Sequence, residues 1–322
     1  MTTDNICVHL FLICANLCNK KYVTMNAVIF PGQGAQYPRM GKDLYDNFPE
    51  VRDIFSRIDK AAGMPLSEKC FYASEEELKD TSLQQLAILT VSLAAFEVFR
   101  GKPIKIDYFS GLSLGEYSCL YPAGVLSLED VVILIRERSL AMDEAAKENP
   151  SCMFAVIGAR EDDLKGKQNN SFYIANINSP SQIVVSLAEN KKLIVKEILT
   201  KSGFRVVELD VSGGFHSTFM EPARVRLKKV MESLNFLDAK VPIVSNFTAR
   251  AHTDREDIKH NLINQLTHPV LWKDCIEFMN NKGVNTFFEV GPSRVLKGIL
   301  RKINPQLKVV NIGKKEDIDV LE

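Results

Sequence analysis

The stretch IKIDYFSGLSLGE at residues 104–116 carries an apolar strand pattern into a serine flanked by glycines, and a helical pattern follows. We expect a strand over residues 104–110, ended by Gly111, and a helix that begins after Ser113. This is the order of a nucleophile elbow, in which side chains at Gly111 or Gly115 would collide with the neighbouring strand or helix. The Gly-x-Ser-x-Gly spacing by itself fits a serine that merely caps the helix equally well.

Outward from this elbow, strand-like and helix-like segments alternate along most of the chain. Such alternation is typical of an α/β fold with a mostly parallel sheet. The predicted strands are residues 27–30, 104–110, 241–244, 285–290 and 308–312. The predicted helices are residues 49–62, 83–99 (with Thr81 and Ser82 as its cap), 258–266 and 295–303.

A different pattern lies between residues 152 and 211. There the predicted order is strand, helix, strand, strand, helix, strand, which is the arrangement of a ferredoxin-like unit. The six segments are residues 153–157, 161–166, 172–176, 182–187, 191–202 and 205–209. We therefore expect residues 151–213 to form a subdomain inserted into a larger α/β domain, which consists of residues 25–150 and 214–322.

The composition is that of an ordinary globular protein and argues against several classes. Forty basic and forty acidic side chains cancel, so nothing indicates nucleic-acid binding or an electrostatic membrane anchor. Four of the seven cysteines lie beyond the first eighteen residues without metal-ligand or disulfide spacing, which fits a reducing cytosol; they are Cys70, Cys119, Cys152 and Cys275. We expect a cytoplasmic protein without a metal or redox cofactor.

The N-terminal segment differs from the rest of the chain. Residues 6–15 are apolar apart from His9, but a membrane span needs about 20 residues. No positive charge precedes this run and no clean cleavage site follows it, which argues against a signal peptide. Met25 opens the first strand pattern. We expect the folded protein to begin there, and residues 1–24 to be a disordered extension or an artefact of an upstream start codon.

A nucleophilic serine needs a base that takes its proton, and the chain has five histidines. His216 follows a glycine-rich turn at the end of a predicted strand, where ligand chemistry collects in α/β folds. A histidine in a loop is most often inert. We nevertheless favour His216 as the base, because the other four lie in the N-terminal segment or in polar segments: His9, His252, His260 and His268.

Seven separated motifs support a more specific interpretation. They are FPGQGAQ (30–36), GLSLGEY (111–117), RER (136–138), NINSP (176–180), FH (215–216), PVLW (269–272) and EVGP (289–292). In sequence and order they resemble the malonyl-CoA:acyl-carrier-protein transacylases and the related acyltransferase domains of polyketide synthases. The resemblance extends from about Met25 to Ile303. It implies a hydrolase-like α/β domain with an inserted ferredoxin-like α+β subdomain, in agreement with the segment pattern.

The resemblance implies roles at the reacting centre. Ser113 corresponds to the acyl-accepting nucleophile, and His216 to its general base. The helix that begins after Ser113 directs free N–H groups at this centre, which makes the Leu114 N–H a natural oxyanion donor. Gln33 matches the family residue whose backbone completes that oxyanion hole.

Two further roles concern the substrate and the base. Arg138 matches the family arginine that binds the free carboxylate of the malonyl group, a task that suits the planar guanidinium. Gln265 resembles the position whose main-chain carbonyl orients the histidine, since holding the imidazole tautomer does not require an acid.

The sequence departs from the family pattern just before the nucleophile. Leu112 stands where the family commonly has histidine, which puts fine substrate selection in doubt more than catalysis. Leu86 replaces a usual proline and Leu187 a usual glycine, and both suggest packing variation. Phe215, before His216, matches the malonyl-type members.

The implied reaction moves a malonyl group from coenzyme A to the phosphopantetheine thiol of an acyl carrier protein. It is a ping-pong reaction through a seryl ester, for fatty-acid synthesis, with no cofactor. The implied partners are malonyl-CoA and the carrier, with no nucleic acid and no membrane, and the implied state is a monomer. Because carriers are acidic, we expect a basic docking surface; the candidates are Arg224, Arg226, Lys228, Lys229, Arg294, Lys297, Arg301 and Lys302.

Three alternatives stay open. A serine acyl hydrolase would share Ser113 and His216 but would not need Arg138. An acyltransferase of a polyketide pathway would share all three residues. A non-catalytic scaffold that binds a carrier is disfavoured by the intact serine, histidine and glycines.

Overall fold

The computed structural model describes residues 25–165 and 171–321. The predicted extension over residues 1–24 lies outside the described residues. The described chain contains a six-stranded, mostly parallel sheet and a separate four-stranded antiparallel sheet. This confirms the predicted fold class, a mostly parallel α/β domain that carries an α+β insertion.

The elements follow the predicted alternation. The strands are β1 (Met25–Phe30), β2 (Tyr108–Gly111), β3 (Ser151–Ile157), β4 (Tyr173–Ser179), β5 (Gln182–Ala188), β6 (Arg205–Glu208), β7 (Ile243–Val244), β8 (Ala251–His252), β9 (Val284–Val290) and β10 (Lys308–Ile312). The helices are α1 (Lys42–Asn47), α2 (Pro49–Ala62), α3 (Leu66–Tyr72), α4 (Thr81–Phe99), α5 (Leu114–Ser118), α6 (Leu128–Glu148), α7 (Glu161–Lys165), α8 (Lys192–Lys201), α9 (Glu221–Ser233), α10 (Arg255–Gln265), α11 (Trp272–Asn281), α12 (Val295–Ile303) and α13 (Lys315–Asp319).

The larger sheet brings the turns after two neighbouring strands together. Its strand order is β10-β9-β1-β2-β7-β8, and only β8 runs antiparallel to its neighbour. Phe30 at the end of β1 lies opposite Gly111 at the end of β2. The turns that follow these strands therefore begin side by side at the carboxyl edge, where open α/β sheets bind ligands.

The smaller sheet has the predicted ferredoxin-like arrangement. Its order is β4-β5-β3-β6, with α7 between β3 and β4 and α8 between β5 and β6. All four strands lie between residues 151 and 208. Its core is separate from that of the larger domain and includes Phe154, Leu164, Val185 and Leu199.

Helix α4 is the central helix of the larger domain. Nearly all of its 19 residues are buried, and it packs against α2, α5 and α6. It is the one helix in residues 25–165 and 171–321 that is long and apolar enough to span a membrane, but 89% of its most apolar 18-residue window is buried inside the protein. Its length and composition therefore reflect a position in the core.

Two local predictions near the elbow are wrong in detail. The Asp80 side chain accepts the Leu83 N–H at 3.0 Å and caps α4 in place of Thr81 and Ser82. Strand β2 begins at Tyr108 rather than at residue 104. The Asp107 N–H donates to the Asn26 carbonyl at 2.9 Å, but the Asn26 N–H binds the Asp107 side chain at 3.0 Å instead of a backbone carbonyl. The paired residues of β1 and β2 begin at Ala27 and Tyr108.

Candidate active site

Ser113 occupies a strained turn between β2 and α5. Its φ of 53° and ψ of −101° lie in a region that costs a non-glycine residue about 1–3 kcal/mol. A Cβ on Gly111 would lie 2.1 Å from the Gly115 carbonyl carbon, and one on Gly115 would lie 2.1 Å from the Phe30 oxygen. The glycines are therefore required because backbone approaches backbone at both flanks, as expected for an elbow.

The hydroxyl of Ser113 is turned away from the helix that follows it. Ser113 holds the N-cap position of α5, yet its side chain accepts no N–H from that helix. Its Oγ lies 2.8 Å from His216 Nε2 and 3.2 Å from Arg138 Nη2. The alternative in which Ser113 serves only as a helix cap is therefore wrong.

The His216 imidazole is buried and held at both nitrogens. Nδ1 lies 2.8 Å from the Gln265 main-chain oxygen, which can only accept, so this nitrogen carries the proton. Nε2 then presents a lone pair to the Ser113 hydroxyl. The pKa of His216 is lowered to about 4, mainly by burial and also by the positive charge of Arg138, against the opposing effect of the hydrogen bond to the Gln265 carbonyl. The ring is therefore neutral at neutral pH and able to take a proton.

Arg138, on α6, is a buried cation beside Ser113. Its Nη1 donates to Gln85 on α4, and its guanidinium lies 4.7 Å from the centre of the Tyr117 ring. Its Nε is buried and has no hydrogen-bond partner among the residues that the structure describes. Burial lowers the pKa of Arg138, but a guanidinium stays charged at neutral pH.

No carboxylate forms an ion pair with Arg138 within residues 25–165 and 171–321. Glu116 is close enough to raise the pKa of Arg138 by its charge but forms no ion pair with it. A buried cation without a directly bound counter-ion is costly, and an incoming anion would supply that partner. Arg138 can therefore bind a negatively charged group close to Ser113 Oγ.

The two predicted oxyanion donors lie at the carboxyl edge of the larger sheet. Leu114 is the first residue of α5, so its N–H has no carbonyl of its own helix to bind. Gln33 follows Gly32, where a Cβ would lie 2.4 Å from the Leu112 oxygen, so this turn lies against the nucleophile turn. The Gln33 side chain donates to Gln84 at 2.6 Å.

Gln265 contributes more than the main-chain carbonyl predicted for it. Its side-chain Nε2 donates to the Ser113 carbonyl at 3.0 Å and to Glu116 Oε2 at 2.6 Å. Asn246, which the sequence analysis missed, accepts the Ser113 N–H on Oδ1 at 2.7 Å. Its place just after β7 was the available signal, because polar residues at the carboxyl ends of parallel strands face ligand sites.

The sequence indicated Glu116 only as a member of the GLSLGEY motif around Ser113. Its carboxylate is buried and accepts the Asn246 N–H at 3.0 Å. Burial raises the pKa of Glu116 to about 7, against the opposing effects of its hydrogen bonds and of Arg138.

A cleft of about 130 Å³ opens over Ser113. The larger domain provides one wall, and the smaller sheet provides the other through Met153, Asn176, Asn178 and Val184. A second cleft of about 310 Å³ adjoins it, and the two share Gln33, Leu209 and Val211. The second cleft therefore lies next to the one over Ser113.

The predicted basic docking surface is partly neutralised. Arg224 pairs with Glu221, and Arg226 pairs with both Glu137 and Glu144. Arg294 pairs with acidic side chains of α13. The exposed lysines Lys228, Lys229 and Lys302 remain candidates for meeting an acidic partner.

Comparisons with known proteins agree on one family. An acyl transferase domain model matches residues 27–316. The malonyl CoA-acyl carrier protein transacylase of Bacillus subtilis is 38% identical over 301 residues, which cover 91% of this chain and 95% of that protein. The enzyme of the same name from Staphylococcus aureus is 36% identical over 306 residues, with 92% and 98% covered.

Solved structures give the same result. The acyl-carrier-protein-S-malonyltransferase from Bartonella henselae has a TM-score of 0.88 and 35% identity, covering 92% of this chain and 98% of its own. A malonyl-transacylase solved in complex with its type II polyketide synthase acyl-carrier protein has a TM-score of 0.88 and 30% identity, covering 92% and 99%.

Proposed function

This chain belongs to the malonyl-CoA:acyl-carrier-protein transacylase family, and on that premise we propose that it transfers malonyl groups through an ester on Ser113. The donor is malonyl-CoA and the acceptor is the phosphopantetheine thiol of an acyl carrier protein. The product serves fatty-acid synthesis. We further propose that the protein is a cytoplasmic monomer that works without a membrane.

In the first half-reaction the malonyl carboxylate binds Arg138. His216 Nε2 takes the Ser113 proton as Oγ attacks the thioester carbonyl. The N–H groups of Leu114 and Gln33 hold the oxyanion of the tetrahedral intermediate. The carbon–sulfur bond then breaks, and His216 gives its proton to the departing CoA sulfur.

The second half-reaction runs the same steps in reverse. His216 takes the proton of the pantetheine thiol, and the sulfur attacks the malonyl ester carbonyl. As the intermediate collapses, Ser113 Oγ leaves and recovers its proton from His216. Arg138 holds the carboxylate throughout, so the acyl group stays in place while the two thiols exchange.

The observation that carries the proposal is the buried, unpaired guanidinium of Arg138 at 3.2 Å from Ser113 Oγ. A hydrolase of neutral esters has no use for this charge. A transferase of malonyl groups needs it, because it distinguishes a carboxylate-bearing acyl group from acetyl.

The proposed function is tested by mass analysis of the Ser113 peptide. The protein is incubated with malonyl-CoA or with acetyl-CoA, and holo acyl carrier protein is then added. We expect a malonyl ester on Ser113 that moves to the carrier. Loss of the ester to water without carrier product would favour a hydrolase, and absence of any ester would leave only a scaffold.

Arg138→Ala tests the selection of the acyl group. Loss of a buried charged partner costs about 3–5 kcal/mol, so the preference for malonyl-CoA over acetyl-CoA should fall at least about 100-fold. Arg136→Ala, two residues earlier on α6 and partly exposed, is the matched control and should keep the preference. Ratios of kcat/KM for the two donors provide the measurement. An Arg138→Ala protein that still preferred malonyl would remove Arg138 from this role.

A further inference from the structure

One buried oxygen atom joins two segments that are distant in sequence. Oε2 of Glu116 accepts the Asn246 N–H at 3.0 Å and Gln265 Nε2 at 2.6 Å. These donors are 130 and 149 residues away along the chain. Asn246 follows β7 and Gln265 is the last residue of α10, whereas Glu116 lies on α5.

The same two donor residues hold the backbone of the nucleophile on both sides. Asn246 Oδ1 accepts the Ser113 N–H at 2.7 Å, and Gln265 Nε2 donates to the Ser113 carbonyl at 3.0 Å. The two peptide groups on either side of the strained Ser113 are therefore fixed by the side chains of two residues that Glu116 anchors, Asn246 through its backbone N–H and Gln265 through its side-chain amide. Strain of this kind persists only where the surroundings over-determine the conformation.

Gln265 also connects this anchor to the base. Its main-chain carbonyl accepts His216 Nδ1–H at 2.8 Å, while its side chain is held by Glu116. We propose that Glu116 is a positioning residue that keeps Ser113 and His216 in register through Asn246 and Gln265. The inference rests on the proposed function, in which these two residues carry out the transfer.

The role requires an acceptor oxygen rather than a charge. A glutamine at this position presents one carbonyl oxygen with two lone pairs and can accept both donors. A methionine of similar length removes the acceptor of the Asn246 N–H and of one N–H of the Gln265 amide in a buried site. Gln265 and Ser113 are then free to shift by fractions of an ångström, which is enough to slow proton transfer and attack.

The experiment compares Glu116→Gln, Glu116→Met, Gln265→Met and the Glu116→Met/Gln265→Met double variant. Gln265→Met removes the side-chain amide but keeps the carbonyl that binds His216. Rapid-mixing measurements give the rate of CoA release in the first turnover and the KM for malonyl-CoA. Reaction with a fluorophosphonate, which modifies an activated serine and needs no malonyl group, gives a second rate.

We expect Glu116→Met and Gln265→Met each to slow acylation about 100-fold, with a KM within about threefold of the parent value. Glu116→Gln should stay within about fivefold of the parent rate. The double variant should be no more than about threefold slower than the worse single variant, because both substitutions break one connection.

Glu289→Met is the matched control for a purely structural buried carboxylate. Glu289 accepts the N–H groups of Leu296 and Lys297 at 2.8 and 2.9 Å and the Asn311 side chain at 2.8 Å. Its removal should lower the unfolding temperature and leave the acylation rate of the folded protein unchanged.

The proposal is overturned if folded Glu116→Met acylates at more than a third of the parent rate. It is also overturned if Glu116→Gln is as slow as Glu116→Met. If Glu116→Met does not fold, Gln265→Met decides: a rate above a third of the parent rate contradicts the proposal. A parent protein that reacts with the fluorophosphonate but not with malonyl-CoA contradicts the proposed function instead, and the variants then report on positioning through the fluorophosphonate rate.

Discussion

The two walls of the cleft over Ser113 are built in different ways. The nucleophile wall, made of residues 30–34 and 111–116 of the larger domain, rests on contacts of backbone against backbone and on a positive φ at Ser113. The insertion wall, made of β3, β4 and β5 of the smaller sheet, presents side chains from regular antiparallel strands.

In the proposed function, the nucleophile wall holds the reacting atoms and the insertion wall contacts the substrate. The nucleophile wall fixes reacting atoms through approaches that tolerate no added atom, so its sequence is tightly restricted. The insertion wall offers apolar groups and amides whose identity can change without moving Ser113. We therefore expect substitutions on the first wall to act on the rate of acylation, and those on the second to act on substrate affinity.

Gly115→Ala should break the nucleophile wall most severely. The new Cβ would lie 2.1 Å from the Phe30 oxygen and 2.8 Å from its carbonyl carbon, so β1 and α5 must separate. We expect acylation to fall at least about 1,000-fold, with destabilisation of several kcal/mol, as measured by first-turnover rates and by urea unfolding.

The control for Gly115→Ala is Gly298→Ala on α12, where a new Cβ meets no atom within 4 Å. Because alanine is the better helix former, this variant should be about 0.5–1 kcal/mol more stable than the parent and fully active. Parent-like activity in Gly115→Ala would mean that the close approach of these backbones is not needed.

The pH profile of acylation tests His216, the proposed base, which lines the cleft between the two walls. Burial lowers the pKa of His216 to about 4, and the base must be neutral to act. The value of kcat/KM for malonyl-CoA should therefore stay level as the pH falls through 6.5, and decline tenfold per pH unit only below about 4.

Glu116, whose pKa burial raises to about 7, is the neighbour that titrates nearest to neutral pH. An inflection near pH 7 that disappears in Glu116→Gln belongs to this carboxyl group. An inflection near 6.5 that persists in that variant would show that His216 titrates as an ordinary exposed histidine.

Asn178→Ala should give the smallest effect and test the insertion wall. Oδ1 of Asn178 is buried in the cleft and has no hydrogen-bond partner within residues 25–165 and 171–321. The pantetheine arm carries amide N–H groups, and we expect one of them to bind this oxygen. We expect the KM for malonyl-CoA to rise three- to tenfold, which corresponds to a loss of about 1 kcal/mol of binding free energy. The value of kcat should stay within twofold of that of the parent. A fall in kcat with unchanged KM would mean that this wall also positions reacting atoms.

Much of the fold could be predicted from local sequence patterns. Helices α2 and α12 and strand β10 begin and end at the predicted residues, because each has a clear apolar period between strong boundary residues. The start of β2 could not be predicted in this way, because it depends on how Asp107 and Asn26, 81 residues apart, bond to each other.

The sequence by itself determined the elbow, the predicted base and the order of the elements, because glycine spacing and apolar periodicity record local geometry. The motif resemblance added Gln33, Arg138 and Gln265. In the structure, Gln33 lines the cleft with Ser113 and His216, whereas Arg138 and Gln265 are buried and hydrogen-bond to Ser113. Only the tertiary structure decided that Ser113 Oγ faces His216 rather than capping α5, that Arg138 is buried with no ion pair to a carboxylate of the described residues, and that Glu116, Asn246 and Gln265 form one network. These facts depend on burial and on bonds between residues more than 100 positions apart, and no local pattern encodes such distances.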